Sequence, residues 1–233
     1  MIIYNEKKIR AFIFARGGSK GIRKKNLQKI GDIHLVGHSI KIANKLKIIE
    51  KIYVSTDCDE ISKISRIYGA EVIDRPKNLA TDDSPELDSW KHAINYSIKN
   101  DGKFNIFLSL PPTSPLRGVK DILNCIESLE DNIDIVLTMS KSKRSPWFNM
   151  VYQNEKNKLL TLINDSYQIN RRQDSPNCYD LTTVAYAAKH EFLLNTENIW
   201  EGNVVGVEVP EERAIDIDSQ LDLKIAKFLY ENG

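Results

Sequence analysis

The fold is decided by the stretch Ala15-Arg16-Gly17-Gly18-Ser19-Lys20-Gly21-Ile22-Arg23-Lys24-Lys25-Asn26, which directly follows an apolar run at residues 11–14. The apolar run is typical of a buried strand, so the glycines and cations would leave that strand at its carboxyl end. Open α/β sheets bind their ligands at this edge. The sequence therefore predicts an α/β fold with a ligand site at the end of its first strand.

Two properties of this stretch suit a polyphosphate. Its three glycines let backbone N–H groups approach an anion without interference from Cβ atoms, and five Lys and Arg side chains lie between positions 16 and 25. The spacing matches neither a P-loop nor a dinucleotide-binding motif. A solvated basic turn is the alternative that spacing alone leaves open.

Composition limits the possible functions. The chain has 233 residues, of which 41% are hydrophobic and 28% charged, with a formal net charge of +1. These values suit one α/β domain over residues 1–233 and do not favour nucleic acid as a partner.

Three cysteines without paired or metal-like spacing indicate reduced thiols. The charged first ten residues do not resemble a signal peptide, and no apolar run approaches the ~20 residues of a membrane span. We therefore expect a cytoplasmic protein without membrane contact.

The hydrophobic pattern alternates between strands and helices. Helical periodicity follows the basic loop and recurs up to a last helix at 218–230, in which Leu221, Ile225 and Phe228 or Leu229 are expected to face inward. Ser84 and Pro85 are predicted to be the N-cap and first residue of a middle helix. β-Rich runs lie between the helices, at 51–56, 71–74, 105–110, 134–138, 183–188 and 204–209. This order predicts a mainly parallel sheet with helices on both faces.

Two later segments do not follow the alternation. Residues 141–177 are polar and lack a clear period. Within them, residues 151–152 and 159–163 could pair as a hairpin. Long inserts of this kind are usually functional or form a contact surface. Asp216 and Asp218 lie in an extended segment, so their carboxylates could share one Mg²⁺. Asp218 could instead only cap the last helix, and the short pattern leaves both interpretations open.

The ordered motifs together resemble one family. The loop at 15–26 is similar to the nucleotide-binding loop of the CMP-sialic acid synthetases, cytidylyltransferases that activate sialic acid and related nine-carbon acidic sugars. Further matches follow in the family's order: Val54-Ser55-Thr56-Asp57, Arg75-Pro76, Pro112-Thr113-Ser114-Pro115-Leu116-Arg117, Arg172-Gln173, and Ile215-Asp216-Ile217-Asp218 with Asp222-Leu223. The resemblance covers nearly the whole chain. It implies a Rossmann-like α/β fold with a protruding dimerisation arm at 141–177, and hence a homodimer.

The resemblance also implies a reaction and its residues. The anomeric hydroxyl of a nine-carbon 2-keto acid would attack the α-phosphorus of CTP and release pyrophosphate. Arg16, Lys20, Asp216 and Asp218 would be catalytic, and the two aspartates would hold Mg²⁺. The nucleotide would be bound by Arg16, Gly17, Gly18, Ser19, Lys20, Lys25, Asn26, Arg75 and Ser84. The sugar would be bound by Pro111, Thr113, Ser114, Arg117, Arg172, Gln173, Asp180 and Thr182.

Two of these arginines have structural alternatives, and the sugar half departs from the family pattern. Arg75 could form an ion pair with Asp74 or Asp82. Arg117 lies at a predicted helix start, where a structural role explains it equally well. Family members specific for sialic acid have glutamine where this chain has Pro111 and arginine where it has Asp180. They have asparagine and glycine where this chain has Thr182 and Thr183. We therefore expect a different acceptor, such as an acylamino sugar of the legionaminic acid type.

Two rival functions remain open on sequence. A metal-dependent glycosyltransferase also uses an acidic pair like that of residues 216 and 218, but it would release no pyrophosphate. A non-catalytic nucleotide-binding protein would keep the basic loop without any turnover.

Overall fold

The computed structural model describes residues 7–164, 169 and 171–233. Residues 1–6, used above in the prediction about the N-terminus, and residues 165–168 and 170 of the predicted arm lie outside the described residues. The strands are β1 (Ile9–Phe14), β2 (Lys29–Ile30), β3 (Ile33–His34), β4 (Ile49–Thr56), β5 (Glu71–Asp74), β6 (Ile106–Ser109), β7 (Ile135–Lys141), β8 (Val151–Gln153), β9 (Leu160–Leu162), β10 (Tyr179–Lys189) and β11 (Val204–Glu208). The helices are α1 (Leu35–Lys45), α2 (Asp59–Ile67), α3 (Glu86–Asp101), α4 (Val119–Glu127), α5 (His190–Asn195) and α6 (Gln220–Asn232).

Seven strands form the central sheet, in the order β11-β7-β10-β6-β1-β4-β5. Strand β10 runs antiparallel to both of its neighbours, and the other neighbouring pairs are parallel. The predicted mainly parallel sheet is therefore confirmed. Its middle strands are almost fully buried because helices cover both faces, which explains their continuous apolar runs.

The two faces of the sheet pack against different helices. One core contains Val36 and Ile40 of α1, Ile61 of α2, and Ile122 of α4. The other core contains the aromatic residues of β1 and β6 with Trp90 and other residues of α3, and it extends to α5. This arrangement confirms the prediction of helices on both faces. Within the described residues, every helix is too short or too polar to cross a membrane.

The carboxyl ends of β1, β4 and β6 meet at one edge of the sheet. The backbone N–H of Ala15, just after β1, donates to Ser55 O of β4 at 3.0 Å, and Leu110 N–H, just after β6, donates to Phe12 O at 3.0 Å. The glycine loop and the segment beginning at Pro111 thus start side by side. This is the edge at which the sequence predicts a ligand site.

Several predicted element ends are wrong for identifiable reasons. Helix α3 begins at Glu86 with Pro85 as N-cap, so Ser84 is not the cap and Pro85 is not the first helical residue. Strand β7 runs on to Lys141 and β10 already begins at Tyr179, beyond the predicted ends at 138 and 183, because Lys141 pairs with Tyr179 and Ser140 with Asp180.

The inward face predicted for the last helix is also wrong. Leu221, Ile225 and Phe228 are exposed, and Leu229, the alternative to Phe228, is half-buried. Helix α6 packs through Leu223 and Ala226 instead. The buried face is narrow because the helix lies at the periphery of the fold, against the small β2–β3 hairpin.

The predicted hairpin in the arm is confirmed. Strands β8 and β9 pair antiparallel, with Val151 opposite Leu162 and Tyr152 opposite Thr161. Its apolar side chains are exposed, including Val151, Tyr152 and Leu160.

Candidate active site

The glycine loop is held in place by its own side chains and by the end of β4. Gly17 N–H donates to Asp57 Oδ1 at 2.8 Å, and Asn26 Nδ2 donates to Arg16 O at 3.0 Å. Asn26 is buried, and Lys24, two residues before it, adopts a left-handed conformation with φ 51°. The loop is therefore a folded structure and not merely a solvated turn.

The three glycines of the loop have different surroundings. A Cβ at Gly21 would lie 2.1 Å from the backbone oxygen of Asp218, and one at Gly17 would lie 2.9 Å from Cys58 Cβ. A Cβ at Gly18 would meet nothing within 4 Å. Gly21 therefore brings the basic loop into direct contact with the segment that carries the acidic pair.

A cavity of about 310 Å³ opens at this edge of the sheet. Its walls come from the glycine loop, from the segment between β5 and α3, and from the segment after β6. Nine of the predicted site residues line it: Arg16, Gly18, Ser19, Lys25, Asn26, Arg75, Ser84, Pro111 and Thr113. The structure thus brings most of the predicted nucleotide half together in one cavity.

The loop cations are paired with carboxylates from other segments. Asp82 lies 2.6 Å from Arg16 and 2.8 Å from Lys20, and Lys25 lies 2.8 Å from Asp218. Hydrogen bonds and charge from Lys20 and Arg16 lower the pKa of Asp82. Each pair places a negative oxygen where an anionic ligand would meet the same cations.

Arg75 lies in a buried position on the cavity wall. Its Nε and one terminal nitrogen donate to Ser55 Oγ and Ser55 O at 3.1 and 2.8 Å, and its guanidinium lies 5.5 Å from the ring centroid of Phe14. Burial lowers the pKa of Arg75 to about 10, although the negative charges of Asp57 and Glu86 act to raise it. The alternative ion pair with Asp74 or Asp82 is wrong, because Arg75 is fixed by Ser55.

The acidic pair lies beside the loop in a segment without regular secondary structure. Ile217 between the two aspartates is fully buried, and its N–H donates to Thr113 O at 2.9 Å. Asp216 Oδ1 is buried and has no hydrogen-bond partner among the described residues. Asp218 does not cap the last helix: Ser219 is the N-cap and forms a capping box with Asp222. The capping alternative is therefore wrong.

The segment after β6 carries hydroxyl groups toward β10. The hydroxyl groups of Thr113 and Ser114 lie 3.1 and 2.7 Å from Thr183 Oγ1. Ser114 is fully buried, so its hydroxyl helps to position the segment. Thr183 had been noted only as a departure from the family pattern, and its place in this cluster depends on β10 crossing beside β6.

Two predicted sugar-binding residues are turned into the protein. The Arg117 guanidinium is buried and donates to Ser39 Oγ at 2.7 Å, to Thr183 O at 3.2 Å and to Pro111 O. Burial lowers its pKa to about 9. Thr182 is also buried, and its hydroxyl donates to Thr138 Oγ1 at 2.9 Å. Arg117 therefore makes structural contacts, but they join α1 and β10 to the segment after β6 and do not involve the start of α4.

The remaining predicted sugar residues are exposed outside the cavity. Arg172 and Gln173 lie in a short 3₁₀ turn, where Arg172 donates to Ser142 O at 3.0 Å. Asp180 is exposed on β10. One chain therefore does not bring these residues together with the nucleotide half.

Sequence reasoning missed several residues of the cavity wall, above all Asp82 and Glu86. Glu86 begins α3, accepts a hydrogen bond from Trp90 Nε1 at 3.3 Å and has its pKa raised by desolvation. The ring of Tyr186 lies 5.9 Å from that of Trp90, and desolvation together with the negative charges of Glu86 and Asp216 raises the pKa of its hydroxyl. In the sequence, Asp82 and Glu86 are recognisable only as acidic residues on each side of Ser84. Their charge alone does not show that their side chains face a cavity.

Comparison with known proteins agrees with this geometry. The family model described as cytidylyltransferase matches residues 11–205, which include the glycine loop and most of the central sheet. The chain belongs to the cytidylyltransferase family.

Individual members of that family show similarity over almost the whole chain. The CMP-N,N'-diacetyllegionaminic acid synthase of Campylobacter jejuni is 34% identical over 93% of this chain and 92% of its own length. The N-acylneuraminate cytidylyltransferase of Escherichia coli is 28% identical over 94% of this chain, which spans 51% of that longer protein. The solved structure of a CMP:2-keto-3-deoxy-manno-octonic acid synthetase complexed with CTP has a TM-score of 0.71 at 16% identity and covers 97% of this chain and 99% of its own. At that identity the solved structure supports the Rossmann-like fold alone.

Proposed function

We propose that this cytidylyltransferase activates a nonulosonic acid with CTP, giving the CMP-sugar and pyrophosphate. The observation that carries the proposal is the cavity at the ends of β1 and β6, whose wall includes a folded basic loop. Asp216 and Asp218 do not line this cavity, but Asp218 contacts the loop at Gly21 and forms an ion pair with Lys25. The family match and the names of the similar proteins support the same reaction.

The reaction needs charge neutralisation and alignment more than covalent help from the protein. Arg16, Lys20 and Lys25 would hold the triphosphate, and the N–H groups of the glycine loop would add further donors. The anomeric oxygen of the sugar forms a bond to the α-phosphorus, the bond from that phosphorus to the bridging oxygen breaks, and pyrophosphate leaves. The hydroxyl proton passes to solvent.

We propose Mg²⁺ as the cofactor, held by Asp216 and Asp218. The unpartnered buried oxygen of Asp216 fits a cation, and carboxylate oxygens are the ligands that Mg²⁺ prefers. No group of three or more His, Cys, Asp or Glu side chains suited to a metal occurs among the described residues, so phosphate oxygens and water would complete the shell. Bound there, the ion would neutralise charge on the phosphates. Asp218 would exchange its ion pair with Lys25 for this role.

We propose an acceptor of the legionaminic acid type within the nonulosonic class. Asp180 is exposed on β10, where sialic acid-specific members are expected to have arginine. A carboxylate favours a sugar with donor groups, such as acylamino N–H, over one recognised through a negative group. The 34% identity to the legionaminic acid enzyme supports this choice.

We propose further that the chain acts as a homodimer through residues 141–177 and is one cytidylyltransferase domain in the cytoplasm. The exposed apolar side chains of the arm hairpin support dimerisation, because such a cluster is typical of an interaction site. The three free cysteines support a reducing compartment.

The transfer itself can be tested with CTP labelled at the α-phosphorus, Mg²⁺ and N,N'-diacetyllegionaminic acid. We expect the label to move into a product that contains the sugar, while unlabelled pyrophosphate is released. ATP, UTP and GTP serve as controls. A glycosyltransferase would leave CTP intact, and a non-catalytic binding protein would retain CTP without product, so either result would contradict the proposal.

A further inference from the structure

One carboxylate lies between two cations at the mouth of the cavity. Asp82 Oδ1 is 2.6 Å from Arg16 and Asp82 Oδ2 is 2.8 Å from Lys20. Arg16 and Lys20 belong to the glycine loop, whereas Asp82 belongs to the segment between β5 and α3. The two ion pairs therefore connect two different segments that line the cavity.

We propose that Asp82 is an internal competitor of the nucleotide, whose carboxylate occupies the position of a phosphate group between Arg16 and Lys20. This inference rests on the proposed function, in which those two cations hold the triphosphate. CTP enters by displacing the carboxylate from both cations, and the carboxylate returns when the polyphosphate leaves.

The chemistry of the three groups permits this exchange. Carboxylate and phosphate oxygens both accept short charge-assisted hydrogen bonds from guanidinium and ammonium groups. The side chains of Arg16, Lys20 and Asp82 keep 35%, 82% and 39% of their surface exposed. Water therefore reaches all three groups, and Asp82 can leave without disruption of the core.

The competition acts on the polyphosphate and not on the nucleoside. The ion pairs of Asp82 involve the loop cations alone, while Arg75 on the cavity wall is held separately by Ser55. Removing the Asp82 charge should therefore strengthen the binding of any ligand that carries the triphosphate. It should leave the binding of cytidine unchanged.

The test is calorimetric titration of the full chain in EDTA with CTP, tripolyphosphate and cytidine. The variants are Asp82→Asn and Asp82→Ala, with Asp83→Asn as the matched control, because the neighbouring Asp83 forms no ion pair among the described residues. Exposed ion pairs are weak, so we expect a gain of about 3- to 10-fold in affinity for CTP and tripolyphosphate in both Asp82 variants. Asp83→Asn should bind both polyphosphates within about twofold of the unaltered protein, since only non-specific charge is lost.

Three results would overturn the inference. They are unchanged or weaker polyphosphate binding in the Asp82 variants, an equal gain for cytidine, or an equal gain in Asp83→Asn. Each leaves the proposed function intact if the unaltered protein binds CTP and transfers its CMP group. Failure of the unaltered protein to bind CTP would instead contradict the proposed function as well.

Discussion

Gly21 and Gly18 illustrate at the scale of single residues how the basic loop is tied to the acidic pair. Both are glycines of one motif, yet a Cβ at Gly21 would collide with the backbone of Asp218 and one at Gly18 would meet open space. The sequence shows that the backbone is free to turn at both positions. It does not show which glycine touches a segment almost two hundred positions away.

Gly21→Ala should therefore destabilise the protein, and Gly18→Ala should not. Forcing a methyl group against a backbone oxygen is expected to lower the free energy of unfolding by ~1–3 kcal/mol, which corresponds to a melting temperature lower by ~2–10 °C. Thermal unfolding of both variants measures the difference. An equal melting temperature for the two would contradict the contact between Gly21 and Asp218.

The residues that sequence reasoning placed correctly in the cavity are those whose role is local. Arg16, Ser19 and Lys25 lie on the loop that leaves a buried strand, so their position at the sheet edge follows from chain order. Asp82 was considered only as an alternative partner for Arg75, because its pairing with Arg16 and Lys20 depends on a loop that crosses the cavity. Arg117 was assigned to the sugar by charge, whereas its burial depends on neighbours supplied by β10.

At the scale of elements, helix α3 links the site to the far end of the sheet. Its first residue, Glu86, lines the cavity, and its last residue, Asp101, is bound to β4. Lys51 Nζ lies 2.5 Å from Asp101 Oδ1, and the Tyr53 hydroxyl donates to Asp101 Oδ2. Asp101 thus fixes the end of the helix that is remote from the cavity.

This contact predicts a pH-dependent stability. Desolvation alone would raise the pKa of Asp101, but hydrogen bonds from Lys51 and Tyr53 outweigh it and lower the pKa. A lowered carboxyl pKa stabilises the fold above the unfolded value of about 4, and the stabilisation is lost as the pH falls through the folded value. Asp101→Asn should therefore be less stable than the unaltered protein by ~1–3 kcal/mol at pH 7.

Denaturant unfolding from pH 7 to pH 3 measures this difference. The difference between the two proteins should begin to narrow below about pH 4, where the Asp101 carboxylate of the unfolded chain takes up a proton, and should be lost as the pH falls through the lower pKa of the native carboxylate. A constant difference over the whole range would mean that Asp101 acts through shape and not through charge.

Element types were predictable because apolar period and chain order determine them, but the ends of elements were not. Ser84 looks like an N-cap by residue type, yet Pro85 is already in the capping position. The buried face of α6 could not be read from period alone, because that helix is apolar on more than one side.

At the scale of the whole molecule, the arm leaves apolar surface uncovered. Tyr152 is 56% exposed and Leu160 63% exposed, and they lie on paired strands of one small hairpin. A two-stranded hairpin is marginally stable in water by itself, so a partner surface would stabilise it. The sequence predicts the hairpin, but in the proposed homodimer the surface that would cover it belongs to the second chain.

The double variant Tyr152→Lys, Leu160→Glu should therefore be monomeric where the unaltered chain is dimeric. Light scattering during size-exclusion chromatography gives the mass of each. Ile67→Glu is the matched control, because Ile67 is 80% exposed on α2, outside the arm, and its replacement should leave the dimer intact. A dimer that survives the double variant would contradict the proposed interface.

Pyrophosphate release from CTP in the presence of Mg²⁺ and a panel of legionaminic, sialic and pseudaminic acids is the decisive measurement of the proposed reaction. We expect release with CTP, with the highest kcat/KM for the legionaminic acid because of Asp180. Asp218→Ala should abolish release while the protein remains folded, since it removes one of the two proposed Mg²⁺ ligands. No pyrophosphate with any of the three acids, from folded protein that binds CTP, would contradict the claim that this cytidylyltransferase activates a nonulosonic acid.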